Sequence, residues 1–169
     1  STLMKAVEIC KTQDIDFILA VGGGSIIDGT KFIATAAKFE GEDAWDILSK
    51  KSRLPKPMDF ASVLTLPATA SEMNNGAVIS RRDRQEKLAF HNPEGYPKFS
   101  ILDPDVVLTL PAKQISNGIV DIYAHTLEQY LTTCLDTKVM DRLDISTPSL
   151  GILLRDARSN FLEYPYLLV

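Results

Sequence analysis

Few residues in this chain can anchor covalent or metal chemistry. Of 169 residues, two are cysteine, two histidine and one tryptophan. Cys10 and Cys134 are too few and too far apart for a disulfide framework or a zinc knuckle. They read as reduced, packed thiols of a cytoplasmic protein. No apolar run approaches the roughly 18 residues that would span a bilayer. Ser1-Thr-Leu-Met-Lys-Ala6 has neither a basic nor an apolar leader region, so neither membrane nor secretion is indicated. The net charge of −4 comes without any basic run or basic-aromatic stripe, which argues against a nucleic-acid partner. A hydrophobic share of 45% and a charged share of 24% are those of an ordinary globular chain, long enough for one domain or parts of two.

The richest stretch is Val21-Gly-Gly-Gly-Ser-Ile-Ile-Asp-Gly-Thr-Lys31. It follows the apolar run Phe17–Val21, read as a buried strand, and opens a helix expected over Ile26–Phe39. A strand, a glycine turn and a helix bring backbone N–H groups to a helix N-terminus, where a phosphate can be held. The glycines remove Cβ atoms from the approach, and Ser25 adds a hydroxyl. A tight turn with no ligand has the same pattern.

Leu3, Val7 and Cys10 recur at helical spacing ahead of that strand, giving helix, strand, helix: the rhythm of a parallel sheet covered by helices. A doubly wound sheet ordinarily opens on a strand, so an upstream part is expected. Glu40–Pro57 is charged and proline-bearing, and reads as a surface excursion with one helical turn at Trp45–Leu48. A strand is expected at Val63–Leu66, ended by Pro67, which cannot donate to a ladder. Ala77–Ser80 and Leu88–His91 read as two short strands around the charged turn Arg81–Glu86. Phe99–Leu102 is a further strand, stopped at Asp103-Pro104. Thr109-Leu-Pro111 looks like a helix start, with Thr109 as cap and the proline in the first turn. A helical pattern then runs to about Thr133, and a domain boundary is placed near Pro111.

Several side chains on this frame could bind or react. Thr65, Thr69 and Ser71 follow a strand, where open α/β sheets meet their ligands, although hydroxyls there also satisfy turn backbone. Lys87 could reach a nucleotide or simply be solvated. Asp121 and His125 lie four apart on one helix face, where a carboxylate oxygen and an imidazole nitrogen can grip one divalent cation. The same spacing suits a surface pair, and two ligands leave a catalytic site incomplete. His91 reads as a packed or hydrogen-bonded strand histidine.

Taken in order, Gly22–Lys31, Leu64-Thr-Leu-Pro-Ala-Thr-Ala-Ser-Glu-Met-Asn74, Lys87-Leu-Ala-Phe-His91, Leu102-Asp-Pro104, Thr109-Leu-Pro111 and Asn117-Gly-Ile-Val-Asp-Ile-Tyr-Ala-His-Thr-Leu-Glu-Gln-Tyr130 resemble the iron-dependent (group III) alcohol dehydrogenases. The likeness is to the NAD(P)H-dependent butanol dehydrogenase and aldehyde reductase branch, over about residues 2–143. It implies an α/β, Rossmann-like nucleotide-binding domain at residues 1–111, missing its first strands. The first helices of an all-α metal domain would follow at residues 112–169. It also implies that Gly23, Gly24 and Ser25 form the pyrophosphate turn, with Asp28 just behind. Thr65, Thr69 and Ser71 would line the dinucleotide, NAD or NADP, and Lys87 would approach its ribose. Asp121 and His125 would be the first two ligands of Fe²⁺, or of Zn²⁺ as in some members. The reaction implied is reversible hydride transfer between a primary alcohol or aldehyde and the dinucleotide, in a homodimeric full-length parent.

Members of that family are about twice this long, and their remaining two metal ligands are later histidines. No histidine follows His125 here. Asp144-Ile-Ser-Thr-Pro148 interrupts the helical pattern, and Tyr166–Val169 ends on an apolar run. The expectation is therefore an internal segment with little or no turnover of its own. Glycerol dehydrogenases and dehydroquinate synthases share the glycine turn and an aspartate ligand, and are the alternative reading within enzymes. A non-catalytic fold fragment is the alternative outside them.

Overall fold

The computed structural model describes residues 2–50 and 53–131, with side chains to residue 125. Cys134, the Asp144–Pro148 interruption and the Tyr166–Val169 end lie outside the described residues. The chain divides into two compact units, Ser1–Val107 and Leu108–Val169.

In the first unit, helix α1 (Thr2–Thr12) leads into strand β1 (Phe17–Gly22), and helix α2 (Gly24–Ala37) follows at once. A short helix α3 (Asp46–Ser49) precedes β2 (Asp59–Leu64). Strands β3 (Gly76–Arg81) and β4 (Glu86–His91) form an antiparallel hairpin, and β5 (Ser100–Ile101) returns to the sheet. The parallel sheet has the order β1-β2-β5, with Phe17 opposite Asp59, Gly22 opposite Leu64 and Ser62 opposite Ser100. This is the expected α/β, Rossmann-like plan.

Helix α2 is the centre of the unit because it is apolar on two sides. Ile27 packs with Ala20 and Leu64 of the sheet, and Ala34 with Met58 and Phe60. On its other side Phe32 and Ala36 join Val7, Trp45, Ile47, Ile79 and Phe90 in the largest core cluster. The Phe32 and Phe90 rings meet edge-on, centroids 6.5 Å apart. A helix buried around most of its circumference needs layers on both flanks, and the sheet and hairpin supply them.

Three expectations are corrected. Strand β1 is not buried throughout. Ala20 faces α2, whereas Phe17, Leu19 and Val21 are exposed, because among the described residues helix packing covers one face only. Phe17 instead stacks on Phe99, centroids 6.5 Å apart. The 40–57 segment is not a surface excursion: Ala44, Trp45, Ile47 and Leu48 are buried in the main cluster. Trp45 is held there by its indole N–H, which donates to Glu86 at 3.0 Å, and by the Arg81 guanidinium 5.5 Å above its ring. Finally, β2 lies four residues earlier at its start than expected. Phe60, Ala61 and Leu64 are buried, and polar Ser62 is accommodated by a 2.8 Å hydrogen bond to Ser100.

Past β5, a short helix α4 (Pro104–Val107) starts where Asp103 accepts the Asp105 amide at 3.0 Å. In the second unit, α5 (Ala112–Leu131) begins directly after Pro111.

Candidate functional site

The β1–α2 junction is a turn stripped of side chains. Gly23 caps α2 with extended backbone (φ −86°, ψ −171°) and offers no side-chain cap. Its carbonyl accepts the amides of Ile26 and Ile27 at 3.0 and 3.2 Å. The Gly24 and Ser25 amides are then first-turn donors with no carbonyl a turn earlier to meet. They carry the positive end of the α2 dipole.

Gly24 is required by a close approach. A Cβ there would lie 2.8 Å from Thr69 Cγ2 and 3.0 Å from Thr69 Cβ, with Oγ1 nearer still. The loop that makes this approach leaves β2 and carries a strained residue, Ala70, at φ 52°. Around it the Thr69 and Ser71 hydroxyls bond each other at 2.7 Å. Ser100 donates to the Glu72 carbonyl at 2.8 Å and so pins the loop to the sheet.

Between the turn, this loop and the hairpin lies a cavity of about 550 Å³. Gly24, Ser25, Asp28, Thr69, Ser71 and Lys87 all line it, six of the eight side chains or turn positions that the sequence assigns to a dinucleotide. The other two, Gly23 and Thr65, are not in its wall. Gly23 sits one residue behind, against Leu66, and the Thr65 amide donates to the Gly22 carbonyl at 3.1 Å.

The hairpin's contribution follows from strand alternation. Its register pairs Gly76 with His91, Val78 with Ala89 and Ser80 with Lys87, and these six form the wall on that side. His91, read from sequence as a packed or hydrogen-bonded strand histidine, is instead exposed on the cavity. Gly76 makes room for its ring, since a Cβ there would be 2.9 Å from Cε1 and Nδ1.

Sequence reasoning missed two buried charges behind this wall. Lys31 is 2% exposed and Glu72 is 2% exposed. The Lys31 ammonium donates to Asn74 Oδ1 at 2.7 Å and to the Gly76 carbonyl at 2.8 Å. Burial pulls its pKa down to about 8, against the opposing pull of the Asp28 and Glu72 carboxylates. Asp28 Oδ2 accepts the Val78 amide at 2.8 Å, while Asp28 Oδ1 and both Glu72 carboxylate oxygens are buried with no hydrogen-bond partner. The available signal was the helical spacing of Asp28 and Lys31, which puts both on the α2 face that meets β3. Cys10 is a half-buried free thiol whose pKa burial raises.

In the second unit, His125 Nε2 and Asp121 Oδ2 lie 3.8 Å apart on α5, both well exposed. Metal–ligand bonds of about 2.1 Å in a tetrahedron would put such atoms about 3.4 Å apart, and the pair stands at 3.8 Å. Among the described residues no group of three His, Cys, Asp or Glu side chains could hold a metal. Nor, among them, is any helix long and apolar enough to cross a membrane.

The fold is a Rossmann-like α/β unit with a cavity at the glycine turn, and comparison with known proteins gives the family. Residues 1–104 match the model of the iron-containing alcohol dehydrogenases. The chain is 50% identical over 143 residues to the NADPH-dependent aldehyde reductase YqhD of Escherichia coli, covering 83% of this chain and 37% of that protein. It is likewise 50% identical over 143 residues to a probable NADH-dependent butanol dehydrogenase of Bacillus subtilis, covering 85% and 37%. The crystal structure of E. coli YqhD superposes with a TM-score of 0.77 at 44% identity, covering 99% of this chain and 43% of that one. The chain belongs to the iron-containing alcohol dehydrogenase family, in its butanol dehydrogenase and aldehyde reductase branch. It spans a little over a third of the length of these curated relatives.

Proposed function

We propose that the α/β unit binds NAD or NADP in the cavity, with the pyrophosphate at the start of α2. The observation that carries this is the convergence of Gly24, Ser25, Asp28, Thr69, Ser71 and Lys87 on one space of about 550 Å³. That volume lies within the range of small-molecule and cofactor sites. The Gly24 and Ser25 amides and the Ser25 hydroxyl would donate to phosphate oxygens. Thr69 and Ser71 would turn their shared hydroxyls to the ligand, and Lys87 would supply a cation at the hairpin edge. Gly23 acts one step back, by leaving the first turn of α2 uncapped. Thr65 is placed to hold the loop through its backbone.

The parent activity we infer is reversible hydride transfer between a primary alcohol or aldehyde and NAD(P). Bound nicotinamide would supply or accept the hydride, and bound Fe²⁺ or Zn²⁺ would polarise the alcohol or carbonyl oxygen. Asp121 and His125 would hold that metal from adjacent turns of α5. The two relatives at equal identity name different cofactors, NADPH and NADH, so identity alone does not select one. A homodimeric parent rests on the family resemblance and is read by sedimentation.

The test is a fluorescence titration of the folded 169-residue chain with NADH and, in parallel, NADPH. Saturable binding, weakened about tenfold or more by Ser25→Ala or Lys87→Ala, is the expected result. Absence of binding to a chain with native circular dichroism would overturn the assignment of the cavity.

A further inference from the structure

We propose that Lys31 is a positioning residue for the dinucleotide cavity, acting through the Asn74–Gly76 turn without touching the ligand. This deepens the reading of the cavity as a dinucleotide site and rests on it.

The geometry runs from helix to hairpin. Strand β3 lies along α2 in the opposite direction, and two of its main-chain groups that face away from β4 are met by α2 side chains. Asp28 accepts the Val78 amide at 2.8 Å. One helical turn on, Lys31 donates to the Gly76 carbonyl at 2.8 Å and to Asn74 Oδ1 at 2.7 Å. Asn74 Oδ1 also accepts the Gly76 amide at 3.1 Å, so a single ammonium fixes both ends of the turn. An anion and a cation, spaced i and i+3 on the helix, thus clasp an amide and a carbonyl spaced i and i+2 on the strand.

The clasp determines where the cavity wall stands. Gly76 and Val78 are themselves in the wall, and their register partners His91 and Ala89 follow them. Lys87 stands opposite Ser80 on the same ribbon, so its distance from the α2 N-terminus depends on the same two contacts. Charge-assisted hydrogen bonds are about twice as strong as neutral ones. Burying a lysine is costly, and Lys31 is at 2% exposure although apolar residues would fill that volume more cheaply. Its retention is explained if the hairpin must be held at one distance. Counted as formal charges, Asp28, Lys31 and Glu72 sum to −1.

The test uses the full chain. Lys31→Met alone would leave two uncompensated carboxylates and could unfold the protein. The double substitution Lys31→Met with Glu72→Gln keeps the formal charge of the group at −1 and removes the Lys31 half of the clasp, leaving Asp28 on the Val78 amide. Expected are native circular dichroism, faster amide exchange at Gly76 with no change at Ile27 and Ala34, and an NADH Kd raised about tenfold or more. Lys31→Arg, which keeps a charged donor, should recover part of that affinity and of the exchange protection. Native-like exchange at Gly76 in the double variant overturns the Lys31 half of the clasp, whether or not NADH binds. Faster exchange with unchanged NADH affinity overturns its link to the ligand. Should the unsubstituted chain bind neither dinucleotide, the cavity assignment and the positioning role fall together, while the exchange data still decide whether Lys31 holds the turn.

Discussion

Replacing Gly24 with alanine tests the phosphate turn with one methyl group. Its Cβ would stand 2.8 Å from Thr69 Cγ2 and 3.0 Å from Thr69 Cβ. Rotating the Thr69 side chain can move Cγ2 and Oγ1 but not Cβ, so the loop or the helix start must shift by a few tenths of an ångström. Overpacking of this kind costs about 1–3 kcal/mol. Rotating Thr69 also breaks its 2.7 Å bond to Ser71, worth about 1 kcal/mol. Alanine's better helix propensity returns less than about 1 kcal/mol at a first-turn position. The net expectation is a loss of about 2 kcal/mol, or a urea midpoint lower by about 1 M for a small domain. The Gly24→Ala/Thr69→Gly double variant removes the obstructing side chain. The cycle should therefore return a favourable coupling of about 1–2 kcal/mol, within the range seen for residues in contact. NADH affinity should fall in the single variant and recover only in part in the double, because the Thr69 hydroxyl is then absent. A single variant with the wild-type midpoint and wild-type affinity would refute the close approach of the loop to the turn.

Three further outcomes follow from the packing. Trp45→Phe removes the indole hydrogen bond to Glu86 and weakens the contact with Arg81, and should lower unfolding free energy by about 1–3 kcal/mol in urea titrations; an unchanged midpoint would put this segment back on the surface. Phe60→Ala, at a position 1% exposed between sheet and helix, should cost about 3–5 kcal/mol, and a cost under about 1 kcal/mol would place β2 elsewhere. Lys31 should make stability rise with pH. Its folded pKa of about 8 lies below the ordinary 10.5, so between these values the unfolded chain binds the proton that the folded chain has released. The burial cost, about 3 kcal/mol, is present in full below pH 8 and is relieved as pH climbs to about 10.5. Urea unfolding of the native chain minus that of the Lys31→Met/Glu72→Gln variant cancels the other lysines, and a difference that is flat or falling over that window would contradict the burial.

The parts of this fold that could be read from sequence are those where local pattern and tertiary role agree. Val21–Lys31 gives strand, turn and helix because its glycines sit where side chains are excluded and its apolar residues sit on a helix. The hairpin was legible because Ala77 and Ile79 alternate with Val78 and Ser80, facing the core and the cavity in turn. Elsewhere the local signal and the packing diverge. In the 40–57 segment, charge and proline say surface, but Trp45, Ile47 and Leu48 lie in the main core, and no periodicity in so short a stretch could show it. Asp59 and Ser62 hid the true start of β2, since a polar residue inside a strand is legible only once its partner, Ser100, is known. The reverse holds in β1, where Phe17, Leu19 and Val21 are apolar enough to read as buried yet are exposed. For the site, residue types told which groups could meet a phosphate. They did not tell that Lys31 and Glu72 are buried behind it, because a lysine and a glutamate are ordinarily solvated and the partners of Lys31, Asn74 and Gly76, lie more than forty positions away.

Several departures from local rules fall around the cavity. Helix α2 starts on a glycine with no side-chain cap, although serine or aspartate would cap it better. Ala70 holds a left-handed backbone that costs about 1 kcal/mol or more in any residue but glycine. Lys31, Glu72 and Asp28 bring charge into a low-dielectric interior, and three of their carboxylate oxygens have no protein partner. Each cost belongs to the turn, the loop or the hairpin wall around one cavity. The clusters that bind α2 to the sheet and to the hairpin are apolar, and their burial supplies stability that offsets it. A chain selected for stability alone would cap the helix, relax Ala70 and fill the Lys31 site with a hydrophobe. The dinucleotide site proposed above would account for this concentration, because a bound anion would meet the uncapped start of α2 that no side chain meets.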